Sequence, residues 1–200
     1  MKAVDVFAVL FSYGLGCLTT GYYLVRWTAG QDIRRLNSGS VGARNVGRVL
    51  GQWGYWTTLT ADILRGALAV AAVRWLGAST TALALSVSAV AAGHIFPVQL
   101  AFHGGKGIAV AFGALLVWDY RIAGVWVFSF AVLYLFSRRY MFSGILSIPL
   151  IVLSSAAFGH PPVIWISLMF LTGLILTAHR RNIAELFHTA SGRREEGSKQ

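Results

Sequence analysis

The stretch IAVAFGALLVWDYRIAGVWVFSFAVLYLF fills residues 108–136. Its apolar run is too long for one ordinary membrane crossing. Asp119, Tyr120 and Arg121 stand at its centre. Two charges placed mid-bilayer would be expensive, so the stretch reads as two segments, 108–118 and 122–136, broken at the charged triplet. That break sets the parity of the fold. With it the chain crosses the membrane an odd number of times, and its two ends lie on opposite sides.

The composition supports a membrane reading throughout. Of the 200 residues, 56% are hydrophobic and 12% charged, where a soluble domain carries about 25% charged residues. The mean hydropathy is +0.64. The expected fold is an all-α integral membrane protein of about seven transmembrane helices, at 6–25, 53–73, 80–102, 108–118, 122–136, 145–158 and 163–178. The last four are short and need interfacial Trp, Tyr and Arg or local thinning to span. Residues 1–190 read as a single polytopic domain without internal repeats. Residues 191–200 read as a polar, disordered tail.

The net charge of +10 does not indicate a nucleic-acid partner. Thirteen basic residues, among them Arg26, Arg34, Arg35, Arg44, Arg48, Lys106, Arg138, Arg139, Arg180 and Arg181, fall in loops on the C-terminal side, against Lys2, Arg74 and Arg121 on the other. This asymmetry puts the C-terminus in the cytoplasm and the N-terminus outside. The first segment lacks a convincing cleavage site and reads as a span. The lone Cys17 excludes an intramolecular disulfide and a cysteine metal cluster, and reads as a packing residue.

Four polar clusters exceed what a membrane protein needs. The first is the loop 30–54, where Ser38, Ser40, Asn45, Arg44 and Arg48 are interleaved with glycines. Such a loop is either a solvated, lipid-attracted segment or a ligand site in which backbone N–H groups come close to an anion. The second is Asp62 with Arg65 at i, i+3, either mutually neutralising or orienting a cationic site; Gly66 beside them permits close helix approach. The third runs from His94 through Pro97 to Gly104, Gly105, Lys106 and Gly107. It is not a Walker A motif, because Leu100 and Gly107 occupy the positions that need glycine and Ser or Thr. It still offers flexible residues, a lysine and a helix start at Ile108, the elements of an anion site. The fourth is His179, Arg180, Arg181 and Asn182, either a cation-capped helix end or a pair of inward donors. All four fall at one end of the spans, which argues for one anion-binding pocket at the inner membrane surface.

The segments SGSVGARN, DILRG, GHIFPVQLAFHGGKG and HRRNI, in this order and spacing, resemble the bacterial membrane glycerol-3-phosphate acyltransferases that use acyl phosphate as donor, the PlsY family. The resemblance covers Tyr13 to about Leu186. It implies a seven-span protein of the bacterial plasma membrane with a cytoplasmic active site. The implied reaction is attack of the sn-1 hydroxyl of glycerol 3-phosphate on a fatty acyl phosphate, giving lysophosphatidic acid and phosphate for phospholipid biosynthesis. It implies Ser38, Lys106 and His179 as catalytic residues. Ser38, Ser40, Asn45, Arg48, Lys106, His179 and Asn182 would bind substrate, with the Gly104, Gly105 and Gly107 backbone cradling phosphate. Asp62, Arg65, His94 and Arg44 would support them. No cofactor and no metal is expected. Besides the two substrates and membrane lipid, the enzyme that makes acyl phosphate is a candidate partner.

The chain departs from the family pattern at Ser40, at Arg44 where threonine is usual, and at Arg65 and His103 where lysine is usual. Arg44 is expected to restore the charge missing at His103. No HxxxxD pattern occurs, and an acyl phosphate is already activated, so positioning and charge stabilisation can suffice. The resemblance suggests substrate-assisted deprotonation, with a phosphate oxygen accepting the hydroxyl proton and Ser38 or His179 as rival bases. Two other readings stay open: a paralogue acylating a different phosphorylated alcohol, and a non-enzymatic lipid-binding or phosphate-ester transport protein. The second predicts polar groups along the whole transmembrane path rather than at one end.

Overall fold

The computed structural model describes residues 2–186, so the expected tail at 191–200 lies outside the described residues. Ten α-helices follow one another: α1 (Ala3–Cys17), α2 (Thr20–Ala29), α3 (Ala43–Trp75), α4 (Thr80–Ile95), α5 (Ile108–Trp118), α6 (Tyr120–Ser137), α7 (Tyr140–Ser147), α8 (Leu150–Ala157), α9 (Pro162–Ala178) and α10 (Arg180–Leu186). Five stretches are long and apolar enough to cross a bilayer: Ala3–Ala29, Ala43–Trp75, Thr80–Leu100, Tyr120–Ser137 and Tyr140–Ala157. The pair α9 and α10, bent by 67°, makes a sixth if taken together. Helix α5 has 11 residues, about 16 Å of rise, well under the ~30 Å hydrocarbon core.

The break at the charged triplet is real. Asp119 ends α5 in extended conformation and caps α6, its side chain accepting from the Arg121 N–H at 2.9 Å. The same carboxylate pairs with the Arg121 guanidinium at 2.7 Å and meets His160 Nε2 at 2.9 Å. These partners and the Arg121 hydrogen bond hold the Asp119 carboxyl down at about 2.

The first two spans depart from the sequence expectation in ways that shape the site, and the expected span at 145–158 starts at Tyr140 and breaks between α7 and α8. The first runs to Ala29 but is interrupted at Leu18 and Thr19. Carbonyls freed by a break inside hydrocarbon need protein donors. Arg65 donates to Gly16 O at 3.3 Å, and Gln99 Nε2 donates to Cys17 O. The second begins at Ala43, ten residues before the expected start, because Gly51 (φ 76°, ψ −166°) joins a short preceding helix to the membrane helix. Left-handed φ is open to glycine at little cost.

Close helix crossings position the site. A Cβ on Gly66 would strike Val110 O, and one on Gly113 would strike Ile63 O, so α3 and α5 touch backbone to backbone. Gly16 and Gly93 do the same for α1 and α4. Lipid gives no hydrophobic drive between helices, so such small-residue contacts are what hold them together. The buried core runs from Val87, Val90 and Ala91 of α4 through Leu115 of α5 to Leu168, Leu171 and Ile175 of α9. Large apolar side chains such as Leu10, Leu68, Phe128, Leu153 and Phe170 point outward, as in a protein whose solvent is hydrocarbon.

Candidate active site

The loop between α2 and α3 is shaped by one amide. Asn45, 2% exposed, donates through Nδ2 to Ser40 O at 2.9 Å and Leu36 O at 3.1 Å. Its Oδ1 accepts from Ser38 N–H at 3.4 Å. The loop therefore folds round Asn45, with left-handed Asn37 and Gly39 on either side of Ser38. Asn45 lines the cavity, but its polar atoms are committed to the loop, which makes it a positioning residue rather than the expected substrate ligand. Ser40 Oγ accepts from Gly42 N–H at 3.3 Å, so its hydroxyl is also partly engaged.

The glycine loop packs on the end of α4. Gly104 N–H donates to Ile95 O at 3.1 Å and Gly105 N–H to His94 O at 2.9 Å. A Cβ on Gly105 would run into the His94 ring. These two glycines seat the loop; their N–H groups are not available to cradle phosphate as expected, and neither residue lines the cavity. Lys106 and Gly107 do. Gly107 caps α5 at φ 79° without a side-chain bond, so the first-turn N–H groups lack a side-chain cap at a helix start whose residues Gly107, Ile108 and Ala109 line the cavity.

One cavity of about 670 Å³ collects Ser38, Ser40, Arg44, Asn45, Arg48, Asp62, His94, Lys106, Gly107, His179 and Asn182. Of the expected site residues, Arg65 lies behind this wall, together with Gly104 and Gly105. Arg65 is 7% exposed, pairs with Asp62 and donates to Thr20 Oγ1 at 2.8 Å. The pair therefore neutralises itself while tying α3 to the break in the first span. His94 Nδ1 sits 3.9 Å from Asp62 Oδ1 and has no hydrogen-bond partner among the described residues.

At the polar mouth, Lys106 Nζ donates to Asn182 Oδ1 of α10. Burial pushes the Lys106 ammonium below the usual lysine range; Arg44 and Arg48 add to this and Glu185 opposes it. His179 Nδ1 lies 2.8 Å from Ile175 O. A carbonyl only accepts, so Nδ1 carries the proton and Nε2 keeps its lone pair. Burial lowers the His179 pKa further, with Lys106 contributing and the Ile175 bond opposing. The imidazole is neutral at pH 7.

Arg44 lies over the Tyr140 ring at 4.8 Å from its centroid, at the junction of α3 and α7. His103 is exposed, with Nδ1 2.6 Å from Ala101 O, and is not part of the cavity wall. Arg44 thus adds charge to the cavity itself, while the missing lysine at 103 would have stood outside it.

Sequence reasoning missed Tyr55, Leu59, Phe112, Trp126, Phe130, Met141, Gly144, Ile145 and Ser147, which also line the cavity. They are ordinary membrane residues, and no local signal marks them. Glu185, also in the wall, had one: it stands three residues after Asn182, on the same face of α10.

The chain matches a sequence family described as glycerol-3-phosphate acyltransferase over residues 6–189. It is 41% identical over 195 residues to glycerol-3-phosphate acyltransferase 1 of Desulfitobacterium hafniense, covering 96% of this chain and 95% of that one. The enzyme of the same name from Bacillus thuringiensis subsp. konkukian is 34% identical, over 90% of this chain and 99% of its own. The fold matches the crystal structure of PlsY (YgiH), an integral membrane glycerol 3-phosphate acyltransferase, in its glycerol 3-phosphate form, with a TM-score of 0.84 at 30% identity and 92% coverage of both chains. The lysophosphatidic acid form of that enzyme matches with a TM-score of 0.81 at 28% identity. With a match along nearly its whole length and the same helical architecture, this chain belongs to the glycerol-3-phosphate acyltransferase family.

Proposed function

We propose that the chain transfers a fatty acyl group from acyl phosphate to the sn-1 hydroxyl of glycerol 3-phosphate, at the cytoplasmic face of a bacterial plasma membrane. The observation that carries this reading is a single cavity with a cationic mouth and an apolar interior. Its two parts fit the two halves of the reaction, a phosphorylated alcohol and a lipid chain. Related proteins support the acceptor, since a similar enzyme is described with glycerol 3-phosphate and with lysophosphatidic acid. The basic residues round the mouth support the cytoplasmic side.

The acceptor phosphate is held by Arg48, Lys106 and Asn182, with Ser38 and His179 placed beside the reacting hydroxyl. The hydroxyl oxygen attacks the acyl carbon, the carbon–oxygen bond to phosphate breaks, and inorganic phosphate leaves. Lys106 and the free N–H groups at the start of α5 stabilise the charge that grows on the leaving group. A phosphate oxygen takes the hydroxyl proton. A second path is favoured by the His179 tautomer, whose Nε2 lone pair can accept that proton instead.

Purified protein in bilayers or detergent, given glycerol 3-phosphate and either acyl phosphate or acyl-CoA, tests the reading. Phosphate release matched by lysophosphatidic acid is expected from acyl phosphate alone. Transfer from acyl-CoA with none from acyl phosphate would overturn the donor; transfer to another phosphorylated alcohol in preference would overturn the acceptor.

A further inference from the structure

The cavity is larger than its acceptor needs. A phosphorylated glycerol has roughly ten non-hydrogen atoms, about 300 Å³ even at the ~30 Å³ a water takes in the liquid. About half of the 670 Å³ is left over. That remainder is bordered by α3, α5, α6 and α7, whose apolar side chains there include Leu59, Phe112, Val127, Phe130 and Ile145.

The arm has a built end. On α7, Tyr140, Met141, Gly144, Ile145 and Ser147 line it, a rise of about 10 Å from first to last at 1.5 Å per residue. At the Ser147 end of α7 stands Trp126, 5% exposed, whose indole N–H donates to Ser147 Oγ at 3.2 Å. Ser147, 1% exposed, donates in turn to Gly144 O at 2.9 Å. Turning the indole away would leave its N–H without a partner in an apolar surround, so the ring is held in place in the cavity wall. One turn nearer the mouth, Gly144 leaves the wall bare. A Cβ there meets only Phe130 Cε2, at an ordinary 3.9 Å, so a larger side chain can stand in the arm without displacing backbone.

We propose that Trp126, held by Ser147, is the stop that sets the length of acyl chain the enzyme accepts, and that Gly144 leaves the room the chain passes through. The proposal rests on the acyl-donor reading above. Longer chains must bend, push the indole aside or leave carbons outside, and each loses apolar contact that shorter chains keep.

The test is a competition among saturated acyl phosphates from octanoyl to stearoyl, read as relative kcat/KM for wild type, Gly144→Leu and Trp126→Leu. Gly144→Leu should move the optimum to shorter chains and cut transfer of the longest at least tenfold, while the KM for glycerol 3-phosphate holds. Trp126→Leu should move the optimum the other way, and it reads the stop independently should Gly144→Leu fail to accumulate. A uniform loss along the whole series, or optima unmoved in both variants, overturns the proposal. A wild type that uses no acyl phosphate of any length sinks the donor reading and this proposal with it; an active wild type with unmoved variant profiles sinks this proposal alone.

Discussion

Lys106 Nζ donates to Asn182 Oδ1, joining the glycine loop after α4 to the helix after α9. The two residues are 76 positions apart in sequence. The bond holds a half-buried cation at the cavity mouth in a fixed place, which is the condition for electrostatic stabilisation without reorganisation.

Lys106→Ala should lower kcat for acyl transfer by 100-fold or more, in the range found for loss of one charge-stabilising donor. Steady-state phosphate release measures it. Asn182→Ala, which frees the ammonium without removing it, should cost less in kcat and show mainly as a raised KM for glycerol 3-phosphate. Near-wild-type transfer by Lys106→Ala would remove Lys106 from the mechanism.

Arg44→Thr should weaken binding of a phosphorylated substrate. It removes one cation from the mouth and the contact with Tyr140, which at a partly exposed site is worth about 0.5–1 kcal/mol. A several-fold rise in KM with kcat little changed is expected. Tyr140→Ala should reproduce only part of it. An unchanged KM in Arg44→Thr would show that the cation has no share in binding.

His179 gives the enzyme an acid limb. Its pKa lies below the ordinary histidine value through burial, so the neutral ring dominates above that value and protonation sets in only at more acid pH. The rate as kcat/KM should hold steady above pH ~6.5 and fall as pH drops through the lowered pKa. His179→Gln should be slow and lose this limb. A limb of equal position in the variant would assign it to another group, the substrate phosphate included.

Asp119 should set part of the acid stability. Its carboxyl titrates at about 2 in the folded protein, against 3.8 ordinarily. A depressed carboxylate stabilises fully above its unfolded value and loses that contribution as pH falls through the folded one. Thermal unfolding in detergent should therefore separate wild type from Asp119→Asn above about pH 4, with the gap closing toward pH 2. A gap independent of pH would mean that the charge of Asp119 is not what holds α5, α6 and the loop at His160 together.

Much of this was legible before any coordinates. Asp119 and Arg121 announced the break between α5 and α6 because charge in hydrocarbon needs a reason. That Ser38, Arg48, Lys106, His179 and Asn182 share one cavity was legible because polar side chains are rare here and fell at one end of the spans. The exact use of the small and amide residues was not. Gly104 and Gly105 look like an anion cradle in sequence, yet their N–H groups answer carbonyls of Ile95 and His94. Asn45 looks like a ligand and is a loop staple. These pairs lie close in sequence but across turns, at neither helical nor strand spacing, so they leave no periodic pattern. Nor does an apolar wall such as Trp126 and Phe130, built of the residues every span contains.

The interruption at Leu18 and Thr19 carries a consequence for biogenesis. Its freed carbonyls are met by Arg65 and Gln99, 49 and 82 positions further along the chain and so synthesised after it. Until then that segment has no partners for a broken backbone and is more stable as an unbroken helix. Its final bend is therefore a late event, imposed once about half the polypeptide has been made, and the earliest part of the chain to be inserted is among the last to take its native shape.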